Sequence, residues 1–225
     1  MCGRYTLFAE FEDIINRFNI EGGINEDDYF FSYNVAPSHS VLSVINDGSK
    51  NQIGYLRWGL IPPWAKDEKI GYKMINARAE TLSEKNSFKS SYKNKRCLIV
   101  ADSFYEWKRL DSKTKTPIRI KLKSDQLFAM AGLWEQWKSP NGEAIFSCTV
   151  ITTTPNELVK DIHDRMPVIL KPEDEQIWLD PNIKNTERLN QFLKPLPEKL
   201  MEAYEVSSLV NSPKNNSANL IQQIC

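Results

Sequence analysis

At 225 residues, with 41% apolar and 26% charged side chains, the chain has the composition of a globular protein able to bury a substantial core, which excludes a disordered or fibrous one. Lysine plus arginine and aspartate plus glutamate are equal at 29 each, so a polyanionic partner must meet a local basic patch rather than a basic protein. No apolar run reaches the roughly 18 residues of a membrane span, and no basic-then-apolar signal pattern opens the chain, so a cytoplasmic location is expected.

The chain opens Met1-Cys2-Gly3-Arg4. An initiator Met before a small residue is commonly trimmed. Loss of Met1 would leave Cys2 with an amine and a thiol on adjacent carbons, a pair that captures aldehydes. The amine forms a Schiff base, and the thiol then closes a five-membered thiazolidine. An α-amine titrates near 7.7–8.0 and is partly neutral near neutral pH. A neighbouring cation, for which Arg4 is the candidate, favours thiolate. The plainer reading makes Cys2 a small apolar residue at a strand start.

Residues 3–8 alternate as a strand, and Phe11, Ile14, Ile15 and Phe18 mark one helix face over 9–19. Residues 21–32, rich in Gly and acids, predict a loop. Residues 41–46 and 52–58 flank Asp47-Gly48 and predict a hairpin, whereas the prolines of 59–65 stop any strand. A short polar helix is expected over 84–93 and one long strand over 96–107. Strands follow at 117–123, at 127–137 and 143–153 around Asn141-Gly142, and at 166–170. A helical turn is expected at 155–161, helices at 172–180 and 185–193, and a last strand at 203–209. Many short strands with hairpin signals and few βαβ spacings predict a single α+β domain, its antiparallel strands closed or half-closed into a barrel, with peripheral helices.

Cys2, Cys97, Cys148 and Cys225 lie far apart without a CxxC, and only His39 and His163 accompany them, so no zinc or other metal site is expected. Cys97 and Cys148 read as core thiols. Glu106, in Phe104-Tyr105-Glu106-Trp107, is a carboxylate among aromatics. It is either a desolvated acid/base with a raised pKa or a strand-end residue turned to solvent. His163, between Asp161 and Asp164, is either an oriented general acid–base or a surface loop residue; His39 reads as a loop residue. Asn76 can offer a donor and an acceptor, and Arg78, on the same strand face, can clamp a phosphate; the alternatives are a turn Asn and an ion-paired Arg. Trp64, on a proline-braced loop before Lys66 and Lys69, can stack a base or belong to the core, and Trp58 reads as core.

Together, Met1-Cys2-Gly3-Arg4-Tyr5, Tyr33-Asn34-Val35-Ala36-Pro37, Trp58-Gly59-Leu60-Ile61-Pro62, Ile75 to Thr81, Phe104 to Lys108 and Ile162 to Pro167 resemble the SOS-response-associated peptidase (SRAP) family of abasic-site-processing proteins, nearly end to end. The resemblance implies a sensor of abasic sites in single-stranded DNA that acts in the DNA damage response. It removes its own Met1 and crosslinks to the sugar aldehyde through Cys2, shielding the lesion. It further implies a single barrel-like domain with its site in a basic cleft and no cofactor. By position, Cys2 is the nucleophile and Asn76 holds the N-terminus and lesion. Glu106 is the acid/base of Met removal and the Schiff-base steps, and His163 assists ring opening and reversal. Arg4, Arg78 and Arg165 hold phosphates, Trp64 stacks, and Thr152 touches the lesion pocket. Ala65 stands where a second Trp can occur. Two other functions stay open: a cysteine peptidase acting on other proteins, and a non-covalent single-strand-binding module. A monomer is expected.

Overall fold

The computed structural model describes residues 2–111 and 114–224; Met1 and Cys225, both named above, lie outside them. Strand β1 (Tyr5–Leu7) leads into helix α1 (Phe11–Arg17), whose Ile14 is buried. The span 21–32 is not the expected loop. It holds β2 (Ile20–Gly23), a 3-10 turn at Glu26–Asp28 and the start of β3 (Ser32–Val35). Glycine there permits close packing as well as turning. Gly23 has φ +122°, and a Cβ on it would lie 1.8 Å from the Ile53 carbonyl oxygen of the adjoining strand.

The expected hairpin forms from β4 (Ser40–Asn46) and β5 (Asn51–Trp58). Asp47 shapes its turn by accepting from the Ser49 and Lys50 N–H groups at 2.9 and 3.0 Å. Then come β6 (Asn76–Arg78) and helix α2 (Lys89–Asn94). The long strand expected over 96–107 is two strands, β7 (Arg96–Ala101) and β8 (Ser103–Arg109), in different sheets. Asp102 makes the break. Its carboxylate accepts from the Phe8 N–H at 2.7 Å and from the Thr6 hydroxyl, and its own N–H donates to the Thr6 carbonyl at 3.1 Å. The chain thus leaves one sheet and joins β1 in the other.

Strands β9 (Lys115–Leu122), β10 (Phe128–Lys138) and β11 (Ala144–Thr153) fall where the pattern put them. Residues 155–163 make hydrogen-bonded turns. The strand expected over 166–170 divides at Val168 into β12 (Met166–Pro167) on β11 and β13 (Ile169–Leu170) on β10. Helices α3 (Pro172–Leu179) and α4 (Thr186–Asn190) precede β14 (Met201–Glu205). The last strand ends earlier than expected, and Ser208–Asn211 forms a 3-10 turn.

Strands β5, β4, β7, β10 and β11 pair in that order, and a parallel seam of β11 on β5, with Cys148 opposite Trp58, closes the ring. This is the expected α+β fold with an antiparallel barrel-like core and peripheral helices. Closure removes the exposed edges an open sheet would leave. A second, antiparallel sheet runs β14-β9-β8-β1-β3. The hydrophobic core joins both sheets, with Val44, Leu98, Ile99, Val100 and Met130 from the barrel and Tyr5, Phe104 and Ile120 from the second sheet. Cys97 and Cys148 are buried free thiols in it. No helix among the described residues is long and apolar enough to cross a membrane.

Candidate active site

Cys2 precedes β1 and is 0% exposed. The Asn76 side-chain amide donates to the Cys2 carbonyl at 2.8 Å. Asn76 is held in turn by β6 lying parallel to β11, with Asn76 opposite Val150 and Arg78 opposite Thr152. The neighbouring Ile75 carbonyl accepts from Val150 N–H at 3.1 Å and from the Trp58 indole at 2.8 Å. Trp58 is therefore core, as expected, and it fixes the strand that carries Asn76. The Asn76 Oδ1 atom is buried without a hydrogen-bond partner among the described residues, which leaves it a spare acceptor next to Cys2.

Glu106 sits on β8 at 2% exposure, so the solvent-facing alternative is excluded. Burial raises its pKa to about 7, a value suited to exchanging protons near neutral pH. His163 Nε2 lies 3.9 Å from Glu106 Oε2. Burial also depresses the His163 pKa, so the ring is held towards its neutral form. Its Nδ1 lies 3.1 Å from the Arg165 N–H and 2.8 Å from the exposed Asp164 carboxylate. One ring nitrogen cannot accept from the first and donate to the second at once. The two contacts therefore correspond to two tautomers. With Nδ1 bare, the Arg165 bond forms and Nε2–H faces Glu106. With Nδ1 protonated, Asp164 accepts and the Nε2 lone pair faces Glu106. A proton taken up at Nε2 leaves the ring neutral only if Nδ1 gives its own to Asp164 in the same event, so the tautomer sets the direction in which a proton can move.

The expected electrostatics at Cys2 need correction. The thiol pKa is raised, by burial first and by the Glu106 charge second, and the opposing influence of Arg4 comes through its backbone N–H, hydrogen-bonded to the thiol. The Arg4 guanidinium points elsewhere. Its Nη1 donates to Asn34 Oδ1 and to the Val210 carbonyl, both at 2.7 Å, and the group lies 5.7 Å from the Trp107 ring centre. Asn34 also reaches the Ser212 and Asn215 carbonyls at 3.0 and 2.8 Å. Arg4, through Nη1, and Asn34 thus fasten the chain end across the second sheet.

Arg165 is likewise committed. Its guanidinium grips Glu80 through both carboxylate oxygens at 2.8 and 2.9 Å and donates to the Thr152 carbonyl at 2.6 Å. It braces the turn after Arg78 against β11 and β12 rather than facing solvent. Of the three arginines, only Arg78 is exposed, with buried Ala77 between it and Asn76 as the two-residue strand period requires. Trp64 is 58% exposed, so the core alternative for it is excluded. Its loop is held rigidly. Gly59, at φ +128°, packs on Gly71, and a Cβ on either would come within 2.7 Å of the other's carbonyl oxygen. Thr152 is buried, and its hydroxyl has no partner among the described residues. His39 is an exposed loop residue, as read. Asp102, which pins β1, the strand after Cys2, carries no sequence signal of its own, because an acid inside an apolar run reads as one more strand residue. Among the described residues no group of three His, Cys, Asp or Glu could hold a metal.

A family model described as SOS response associated peptidase (SRAP) matches residues 1–213. The chain belongs to the SRAP family. "Abasic site processing protein YoqW" of Bacillus subtilis (strain 168) is 65% identical over 222 residues, covering 99% of each chain. "Abasic site processing protein HMCES" of Xenopus tropicalis, another relative of this SRAP chain, is 34% identical, covering 89% of this chain and 68% of that one. A crystal structure of a Bacteroides thetaiotaomicron protein superposes with a TM-score of 0.89 at 27% identity, covering 100% of both chains.

Proposed function

We propose that this SRAP protein processes abasic sites in single-stranded DNA by a covalent route through Cys2. The relatives' names supply the lesion, and the observation that carries the chemistry is the convergence of Cys2, Asn76, Glu106 and His163 from four separate segments. Water adds across the Met1–Cys2 peptide bond, releasing methionine and leaving Cys2 with a free amine. The amine attacks the C1 aldehyde of the ring-opened sugar. The resulting carbinolamine loses water to give the Schiff base. The thiol then adds to the same carbon, and its proton passes to nitrogen, closing the thiazolidine.

Glu106 serves these steps as proton acceptor from the amine and donor to the departing hydroxyl, which its pKa of about 7 suits. Held neutral, His163 takes the proton of the sugar's C1 hydroxyl while protonated Glu106 gives one to the ring oxygen, and the proton then returns from the imidazolium to Glu106. The buried, protonated thiol is a poor nucleophile until the amine has formed the Schiff base beside it, which orders the two bonds. Asn76 holds the Cys2 carbonyl and turns its second polar atom to the sugar hydroxyls. Arg78 meets a phosphate, Trp64 stacks a flanking base, and Thr152 offers its unpaired hydroxyl to the lesion.

Intact-mass analysis after incubation with an abasic oligonucleotide tests this. The wild type is expected to lose the mass of a methionine residue and then gain that of the DNA less one water. Cys2→Ala should form no adduct, and an adduct of unchanged yield in that variant overturns the reading.

A further inference from the structure

Two cavities sharing Ile169, Lys171 and Leu196 form one groove that includes none of Cys2, Asn76, Glu106 and His163. The larger, about 470 Å³, is floored by Leu122, Leu127, Phe128, Ile169 and Leu200. The smaller, about 170 Å³, continues it along Phe192 and Pro195. The groove is preformed. The Lys123 N–H donates to the Leu200 carbonyl at 2.9 Å, tying one wall to the end of β9, and β13 is hydrogen-bonded to β10 beneath it. Lys123, Lys171, Lys194 and Lys199 are exposed along its rim, and none has a side-chain ion pair among the described residues. Arg17 also lines it, but Glu175 occupies its guanidinium at 2.7 and 2.8 Å. Glu173 and Asp174, in the first turn of α3, are the acids at the rim.

We propose that this groove docks an acidic peptide segment of another protein, seating a bulky apolar side chain on the aliphatic floor while its carboxylates meet the lysines. Both halves of the ligand are needed to match what is there. A single-stranded nucleic acid would satisfy the lysines, but it binds through exposed aromatic platforms, and here the aromatic in the main floor, Phe128, is only 2% exposed. A fatty acid would fill the floor but brings one carboxylate to four lysines. A peptide anchored by one apolar residue and framed by several acids supplies both, in the manner of helix-in-groove and acidic-motif recognition. Because the groove shares none of those four residues, docking there leaves the Cys2 centre open.

The test uses the full-length protein and a fluorescein-labelled dodecapeptide in which Asp and Glu flank a Leu-Phe pair, read by fluorescence anisotropy. Saturable binding that weakens with added salt is expected. Lys123→Glu and Lys199→Glu should each weaken it about fivefold, the effect of losing one exposed ion pair near 1 kcal/mol. Replacing the Leu-Phe pair by Ala-Ala should abolish saturation. Both lysine variants should still form the abasic-site adduct at the wild-type rate, which keeps this test separate from that of the Cys2 chemistry. Absence of saturable binding, equal binding by the lysine variants, or equal binding of the Ala-Ala peptide overturns the proposal. So does displacement of the peptide by laurate or by oligothymidylate with equal potency, which would assign the groove to a lipid or to nucleic acid.

Discussion

Replacing Glu106 by Gln should cost the protein its chemistry and increase its stability. The carboxyl is 2% exposed, and burial lifts its pKa from an ordinary 4.5 to about 7. The folded protein therefore holds this proton more tightly than the unfolded chain does. Below the unfolded value both states are protonated, and the preference is fully present as stability. As pH rises through the interval the unfolded chain ionises first, and the stability is lost by the time the folded carboxyl has ionised. At about 1.36 kcal/mol per pH unit the interval amounts to roughly 3 kcal/mol. Gln keeps the size and polarity of the side chain without the titration. Urea denaturation should find Glu106→Gln more stable than wild type by roughly 3 kcal/mol near pH 8, with the difference closing towards pH 4.5. For a chain of this length the gain near pH 8 is about 6–12 °C in Tm. The same variant should form the DNA adduct about 10²–10⁴-fold more slowly and should retain Met1 or lose it slowly. A stability difference that does not change with pH would refute the buried titrating carboxyl. Crosslinking and Met1 removal at full speed would refute its role in proton transfer.

Arg78→Glu should weaken single-strand binding more at low salt than at high salt, lowering the slope of log K against log salt by about 0.7 for the lost phosphate contact. An unchanged slope would remove Arg78 from the DNA surface. Trp64→Ala should weaken binding by about 1–3 kcal/mol while leaving Tm within about 2 °C, because the ring is exposed; a large loss of Tm with unchanged DNA affinity would return Trp64 to the core. Asp102→Ala deprives the Phe8 N–H and the Thr6 hydroxyl of their acceptor and should destabilise the protein by about 1–3 kcal/mol in denaturant titrations. Because β1 follows Cys2, adduct formation should slow as well, and partial recovery in Asp102→Asn would show that the hydrogen bonds, not the charge, position the strand.

Much of the fold could be read from the chain because its rules are local. Alternation and turn chemistry marked the hairpins at Asp47-Gly48 and Asn141-Gly142, and the apolar face of α1 carried helical spacing. The segment 21–32 misled because glycine and acids usually mean a loop, whereas Gly23 serves a close backbone approach that depends on a strand 30 residues away. The run 96–107 misled because apolar continuity says nothing about which sheet a residue joins. Asp102 decides that through partners on β1. The candidate residues Cys2, Asn76, Glu106 and His163 could be named from motifs, but their proximity could not be derived from spacing. It arises from β6 pairing with β11 and from the Asp102 crossing of the chain between sheets.

Residue chemistry and local pattern, written in the chain itself, determined the class of fold, the family and the identity of the reactive groups. Tertiary structure alone decided which charges are available. It turned the Arg4 and Arg165 guanidiniums into internal fasteners, left Arg78 exposed, and raised the pKa values of the Cys2 thiol and the Glu106 carboxyl together. The reason is physical: hydrogen-bond partners and desolvation are properties of the space around a side chain, and that space is built by residues remote in sequence.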